Sequence, residues 1–237
     1  LFVTTTNEKT TISEKISPII KTIIPKKPAL KIFDAGLGDG TLLMNVLRNC
    51  HREFPTIPFL VAGKEVSLED VRLTIEKLSD RFVEHPDMVF VITNLHYNES
   101  SSLKSKNPDK QKNIFWKNIV LSGNSSYEFN QQLSNLDGLL KENWQVEKSK
   151  KTGNTTYKQP SVIVIYRNDH EMNLSHIIPK KDDDKILFNL ILASQPYRSR
   201  ISEKNKCNFV IKPMIESLSD QGKLIITHAY GQDPGTE

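Results

Sequence analysis

Residues 31–42 read Lys31-Ile32-Phe33-Asp34-Ala35-Gly36-Leu37-Gly38-Asp39-Gly40-Thr41-Leu42. A short apolar run ends in Asp34, and glycines follow at every second position, Gly36, Gly38 and Gly40. The run predicts a buried strand, and Thr41 to Arg48 predicts an amphipathic helix. Glycine belongs where the backbone takes positive φ or where a ligand must come close. A strand, a glycine-rich turn and a helix therefore make a nucleotide-binding element, a turn with no ligand being the alternative. The spacing separates the cofactors. Dinucleotide folds use Gly-x-Gly-x-x-Gly with pyrophosphate on the helix N-terminus. Here the pattern is Asp-x-Gly-x-Gly-x-Gly, with an acid ahead of the first glycine.

A second element follows at the distance such a fold requires. Residues 58–69 read Pro-Phe-Leu-Val-Ala-Gly-Lys-Glu-Val-Ser-Leu-Glu, another apolar strand ending in an acid, Glu65, then Val66 and Ser67. Ser67 is a good N-cap, and Glu69 and Asp70 fall in the first turn, where the helix dipole favours anions. Val71 to Leu78 continues with helical apolar spacing. An acid at the tip of the second strand is where a nucleotide fold hydrogen-bonds ribose hydroxyls.

The Asp34 motif with Glu65 behind it resembles motif I and the following acid of the class I S-adenosylmethionine-dependent methyltransferases. The resemblance implies an α/β fold: a doubly wound, mostly parallel sheet with a Rossmann-like methyltransferase core. It also implies S-adenosyl-L-methionine as cofactor and S-adenosyl-L-homocysteine as product. That cofactor has no phosphate; it carries a sulfonium and an amino-acid tail, so an acid near the turn is chemically reasonable. By resemblance, the backbone of Ala35, Gly36, Leu37, Gly38 and Gly40 admits the tail. Asp34 supports the turn or binds the tail ammonium through water, Glu65 holds both ribose hydroxyls, and Val66 packs on adenine.

Downstream units extend the pattern. Met88 to Leu95 predicts a third buried strand whose end offers Thr93, Asn94 and Leu95, then His96 and Tyr97. In the family this strand end and its loop contact the adenine edge, and Asn94 has the amide to do so; a polar strand end without a ligand is the other reading. Glu99 to Asn113 is rich in Ser, Lys and Asn and predicts a mobile loop. Phe129 to Leu140 predicts a helix. Trp144 to Glu147 and Ser161 to Tyr166 predict strands flanking the turn-like Lys151-Thr152-Gly153-Asn154. Together these suggest a helix-plus-hairpin insertion between the third and fourth core strands, serving as a substrate cap, a dimer contact or a plain edge extension.

Lys185 to Ser194 is a near-continuous apolar run, as expected of a central parallel strand buried on both faces. Ser194-Gln195-Pro196-Tyr197 follows, where motif IV of the family lies beside the transferred methyl. Nucleobase and glutamine amino-methyltransferases carry Asn/Asp/Ser-Pro-Pro-Tyr there, and this chain has Gln195 in place of the first proline. A helix from Cys207 to Leu218, a turn at Asp220 to Lys223 and a strand from Leu224 to His228 resemble the family's next unit. By this placement Ser194, Gln195, Tyr197 and His228 line the acceptor pocket. His228 has the pKa range of a general base, a solvated or structural histidine being the alternative. Ser194 also borders the cofactor.

The composition bounds the function classes. The chain has 237 residues, 37% of them hydrophobic, and a net charge of +4; its mean hydropathy is -0.43 and its pI about 8.9. No apolar run approaches the ~20 residues of a membrane span. The scattered lysines do not make a nucleic-acid face, which favours a small-molecule acceptor over a nucleic acid or protein one. Cys50 and Cys207 supply no disulfide framework and no metal-ligand spacing, so no metal is expected and a cytoplasmic location is the default. No Gly-x-Ser-x-Gly or Gly-x-x-x-x-Gly-Lys-Ser/Thr is present. The sequence divides into an N-terminal helical segment (1–27), a first half-core (28–97), the insertion (98–182) and a second half-core (183–237). It starts at Leu1, and the two final strands implied by the resemblance are not in it, so it is expected to be a portion of a longer chain or to have an architecture altered by the insertion. The expected activity is transfer of a methyl group to an N or O nucleophile. A non-catalytic S-adenosylmethionine-binding scaffold is the alternative from another class, and a nicotinamide oxidoreductase a third, disfavoured by the glycine spacing.

Overall fold

The computed structural model describes residues 7–149, 155–194 and 202–227. In chain order the first elements are α1 (Glu8–Ile20), β1 (Leu30–Asp34), α2 (Thr41–Glu53), β2 (Phe59–Lys64), α3 (Leu68–Glu76), α4 (Leu78–Glu84) and β3 (Met88–Thr93). Then come α5 (Tyr97–Ser100), α6 (Pro108–Lys112), β4 (Phe115–Leu121), α7 (Ser126–Ser134), α8 (Asp137–Asn143), β5 (Val146–Lys148), β6 (Thr155–Tyr157) and β7 (Ser161–Arg167). The remainder is α9 (Glu171–Leu174), β8 (Phe188–Ser194), α10 (Glu203–Lys206), a π-helical turn (Cys207–Ile211), α11 (Lys212–Glu216) and β9 (Leu218–Thr227).

Seven strands form one sheet in the order β4-β7-β3-β2-β1-β8-β9. β3, β2, β1, β8 and β9 run parallel. β7 lies antiparallel to β3, and β4 runs parallel to β7. The sheet is thus α/β and mostly parallel, compatible with a Rossmann-like fold. Its central strands are buried along their whole length, as a sheet covered on both faces requires.

Alternation along the strands feeds two apolar cores. Ile32, Val61, Phe90, Ile163 and Leu192 point to one, which α1, α2, α3, α4, α7 and α8 cover with residues such as Ile16, Leu43, Val71, Phe82, Phe129 and Leu140. Phe33, Ala62, Val91, Val164 and Ala193 point to the other, closed by Leu103, Leu174, Val210 and Met214. Each large side chain taken fully from water contributes about 1.5–3 kcal/mol, so both faces are needed to hold the sheet.

The segment from 98 to 182 departs from the sequence expectation in four ways. Ser161–Arg167 does not pair with Val146–Lys148; it enters the main sheet beside β3, and the small hairpin is made instead by β5 with β6. Its expected turn, 151–154, lies outside the described residues. Phe115–Leu121 is a strand that the sequence pattern did not announce, and it takes the sheet edge next to β7. The helix expected over Phe129–Leu140 is two helices, α7 and α8, and the expected loop of residues 99–113 carries the end of α5 and all of α6.

Candidate functional site

The chain runs from β1 outward through β2 to β3, then returns to the other side of β1 with β8 and β9. The helices that follow β1 and β8 cover opposite faces of the sheet, α2 in one core and α11 in the other; in such sheets the crevice at the C-terminal ends of the two strands is the usual ligand position. The glycine-rich turn sits there. Gly36 lies so close to β8 that an added Cβ would stand 3.1 Å from the Ser194 carbonyl oxygen. Gly38 and Gly40 have φ of +51° and +74°, the left-handed region that favours glycine. A Cβ on Gly40 would also meet Thr74 Oγ1 at 2.6 Å, and that hydroxyl donates to the Gly38 carbonyl at 3.1 Å.

Asp34 ends β1 with its carboxylate buried beneath the turn and accepts the Gly36 N–H at 3.0 Å. Burial pushes its pKa up to about 7, with the negative charge of Glu65 adding to the rise; the Gly36 N–H and the charge of Lys9 oppose it. Ala35 donates to the Leu192 carbonyl and Leu37 to the Lys64 carbonyl, so the turn is stitched to β8 on one side and to the end of β2 on the other.

Glu65 follows β2. Its Oε2 accepts the Gly38 N–H at 2.9 Å, and its Oε1 accepts the Val66 and Ser67 N–H groups at 2.6 and 2.8 Å. Three donors leave about one of the four acceptor sites of a carboxylate open. Val66 is half-buried beside it. Ser67 caps α3, accepting from the Asp70 N–H at 3.3 Å.

The end of β3 is committed to the fold. Thr93 donates its hydroxyl to the Ser161 carbonyl and accepts from the Leu95 N–H. Asn94 accepts the Ser161 N–H at 2.8 Å and donates to the Gln159 carbonyl at 2.9 Å and the Asn143 carbonyl at 3.4 Å. Its amide therefore ties the insertion to the sheet. Leu95 is buried in the second core. On the other side of the crevice the Ser194 hydroxyl accepts from Thr227 Oγ1 at 3.0 Å. Gln195, Tyr197 and His228 lie outside the described residues.

Several neighbours of the crevice escaped the sequence pattern. Lys64, the last residue of β2, is buried, with its ammonium 4.3 Å from the centre of the Tyr97 ring. Burial holds this lysine below its ordinary pKa, Glu65 opposing, and pushes Tyr97 up to about 12, helped by Glu65 and Asp34. A lysine closing an apolar strand was the available signal. Asp39 is gripped by Lys9 of α1, by Lys77 and by Thr41. Burial alone would raise Asp39, yet these partners hold it well below the usual carboxylate range. They clamp α1 and α3 onto the turn. Trp144 comes from the insertion: its indole N–H donates to the Glu65 carbonyl at 3.0 Å.

Elsewhere, a cavity of about 580 Å³ opens between α1, α2 and α4 beside Ser13, Asn45, Arg48 and Asn49, and no turn residue lines it. Among the described residues no cluster of His, Cys, Asp or Glu is arranged to hold a metal, and no helix is long and apolar enough to cross a membrane. Comparison with protein-family models gives no match, and neither does comparison with curated proteins.

Proposed function

We propose that the chain transfers a methyl group from S-adenosylmethionine to an N or O nucleophile, on a small molecule in preference to a nucleic acid or protein. The observation that carries the reading is the pairing of Glu65 with Gly38, which sets an acid with an open acceptor site against a glycine turn at the switch point of the sheet.

The residues fit such a cofactor chemically. Asp34 is a buried acid without a full cationic partner, as a site for the tail ammonium requires. Gly36 lets the turn pass close against β8, where an added Cβ would crowd the Ser194 carbonyl oxygen. Glu65 accepts one ribose hydroxyl at its open site and the second where the Val66 or Ser67 N–H, both on Oε1, gives way. Val66 offers its half-buried face to the adenine ring. When bound, S-adenosylmethionine supplies a methyl group on a sulfonium, already a strong electrophile. The protein's work is then positioning. Ser194 and Thr227 present hydroxyls at the acceptor side, and the acceptor-pocket roles of Gln195, Tyr197 and His228 complete the proposal.

Thermal unfolding with and without S-adenosylhomocysteine, and separately with NAD, tests it. A ligand of the native state stabilises it by mass action, by about 2.7 kcal/mol at a hundredfold excess over Kd, and so raises the midpoint. A rise with S-adenosylhomocysteine alone is expected. A rise with NAD alone moves the protein to the oxidoreductases, and binding without turnover on any acceptor moves it to the scaffold reading.

A further inference from the structure

The segment Asn143-Trp144-Gln145 belongs to the insertion, yet Asn143 and Trp144 hydrogen-bond to residues at the ends of strands of the main sheet. Trp144 is 1% exposed, and its indole N–H donates to the Glu65 carbonyl at 3.0 Å. Glu65 lies one residue past the end of β2, beyond the regular ladder, with its own N–H on the Thr93 carbonyl at 2.9 Å. On the flanks, the Asn143 carbonyl accepts from Ser161 Oγ at 2.9 Å and from Asn94 Nδ2 at 3.4 Å, and the Gln145 carbonyl accepts the Lys158 N–H at 2.9 Å. An ion pair of 2.5 Å joins Arg72 of α3 to Asp137 of α8. The insertion thus touches the first residue of the β2–α3 connection and the middle of α3, with the Trp144 indole bound at the residue whose carboxylate faces the glycine turn.

We propose that Trp144 is a positioning residue for Glu65 and that the insertion forms part of the nucleoside wall of the crevice. The inference rests on the reading of Glu65 as the ribose acceptor. With its N–H on Thr93 and its carbonyl on Trp144, the Glu65 backbone has one orientation, and its carboxylate is aimed by it. Without the indole donor the carbonyl turns to other partners, and affinity falls by the fraction of molecules that leave the competent orientation.

The test is calorimetric titration of S-adenosylhomocysteine into the wild-type protein, Trp144→Phe and Trp116→Phe. Phe keeps the buried ring and removes the donor. Trp144→Phe is expected to raise Kd about threefold to tenfold, the equivalent of one net hydrogen bond, while Trp116→Phe leaves it unchanged. A purely structural role lowers the melting temperature of Trp144→Phe and leaves Kd alone. Equal Kd values for Trp144→Phe and wild type overturn the inference and leave the Glu65 reading standing; absence of binding by the wild type overturns that reading itself. If Trp144→Phe does not fold, Trp116→Phe carries the test, because Trp144 is then the sole tryptophan of a chain that has two. Its emission is expected to change on saturation with S-adenosylhomocysteine, and unchanged emission overturns the inference.

Discussion

The carboxylate of Glu65 and the backbone N–H of Gly38 are hydrogen-bonded at 2.9 Å, joining the turns that follow the paired strands β1 and β2. One side chain thereby holds the glycine turn, its own following residues and, in the proposed function, the ribose. Glu65→Ala removes the acceptor for three backbone donors. We expect it to weaken S-adenosylhomocysteine binding by about 1.5–3 kcal/mol, the range for bonds to a charged group, measured by calorimetry. Unchanged affinity would move the ribose away from Glu65.

Asp34 makes the proposed site pH-dependent. Its folded pKa, about 7, is above the ordinary carboxyl value of 3.8. The folded protein thus holds a proton that the unfolded chain releases, and the cost of the buried acid grows as pH rises from about 4 to 7, reaching at most about 4 kcal/mol. Asp34→Asn is therefore expected to be more stable than wild type at pH 8 and equally stable near pH 4 in urea unfolding. A cationic tail beside Asp34 favours the ionised form. S-adenosylhomocysteine binding should accordingly tighten between pH 6 and 8 and release a proton at the lower end, seen as a buffer-dependent heat. A pH-independent Kd would remove Asp34 from the tail's contacts.

Gly40→Ala tests the turn through geometry alone. The φ of +74° costs a side chain about 1–2 kcal/mol, and the contact with Thr74 at 2.6 Å adds to it. A melting point lower by at least about 2 °C is expected for a chain of this size, with weaker ligand binding. Ala at Gly138, a helical position where an added Cβ meets nothing within 4 Å, is the control and should leave the melting point unchanged or raise it slightly.

His85 governs acid stability at the opposite end of the sheet. It is buried, stacked on Phe59 with 3.6 Å between ring centres, and hydrogen-bonded through Nε2 to the Ile57 carbonyl and through Nδ1 to His51. Nε2 donates, so Nδ1 accepts from the His51 ring, an arrangement that protonation of His85 breaks. Burial first, and the charge of His51 second, push its pKa down to about 4. The unfolded chain takes up this proton near pH 6.5 and the folded one only near 4, so stability falls as pH drops through that window. The loss is on the order of 3 kcal/mol. His85→Gln should flatten this part of the stability–pH curve; identical slopes for the two proteins would exclude His85 as the source.

The glycine turn, the Glu65 tip and the strands β1, β2, β3 and β8 were legible because each is written locally: apolar runs of strand length, acids after the first two, and glycines at the positive-φ positions Gly38 and Gly40; at β9 the stretch expected as a turn, Asp220 to Lys223, is part of the strand Leu218–Thr227. The antiparallel part was not legible. Ser161–Arg167 looked like half of a hairpin because a turn-like stretch precedes it, but Val162 to Tyr166 is apolar at every position, which only a strand covered on both faces can use. β4 escaped because it is an edge strand, with Lys117, Asn118 and Val120 exposed. The role of Asn94 was hidden by partners about fifty and sixty-seven residues away, Asn143 and Ser161. The Trp144–Glu65 bond, too, joins residues 79 positions apart, and no periodicity encodes such a contact.

The place of β7 between β3 and β4 sets an order of assembly. Within the described sheet β4 touches only β7, which the chain reaches some forty residues later. During synthesis β4 leaves the ribosome first and has no berth until β7 has docked on β3. Phe115 and Trp116 must wait uncovered through that interval, a window of exposure common in chains of this length. Slow or paused translation between residues 122 and 160 would lengthen that window, and chaperone demand should concentrate there.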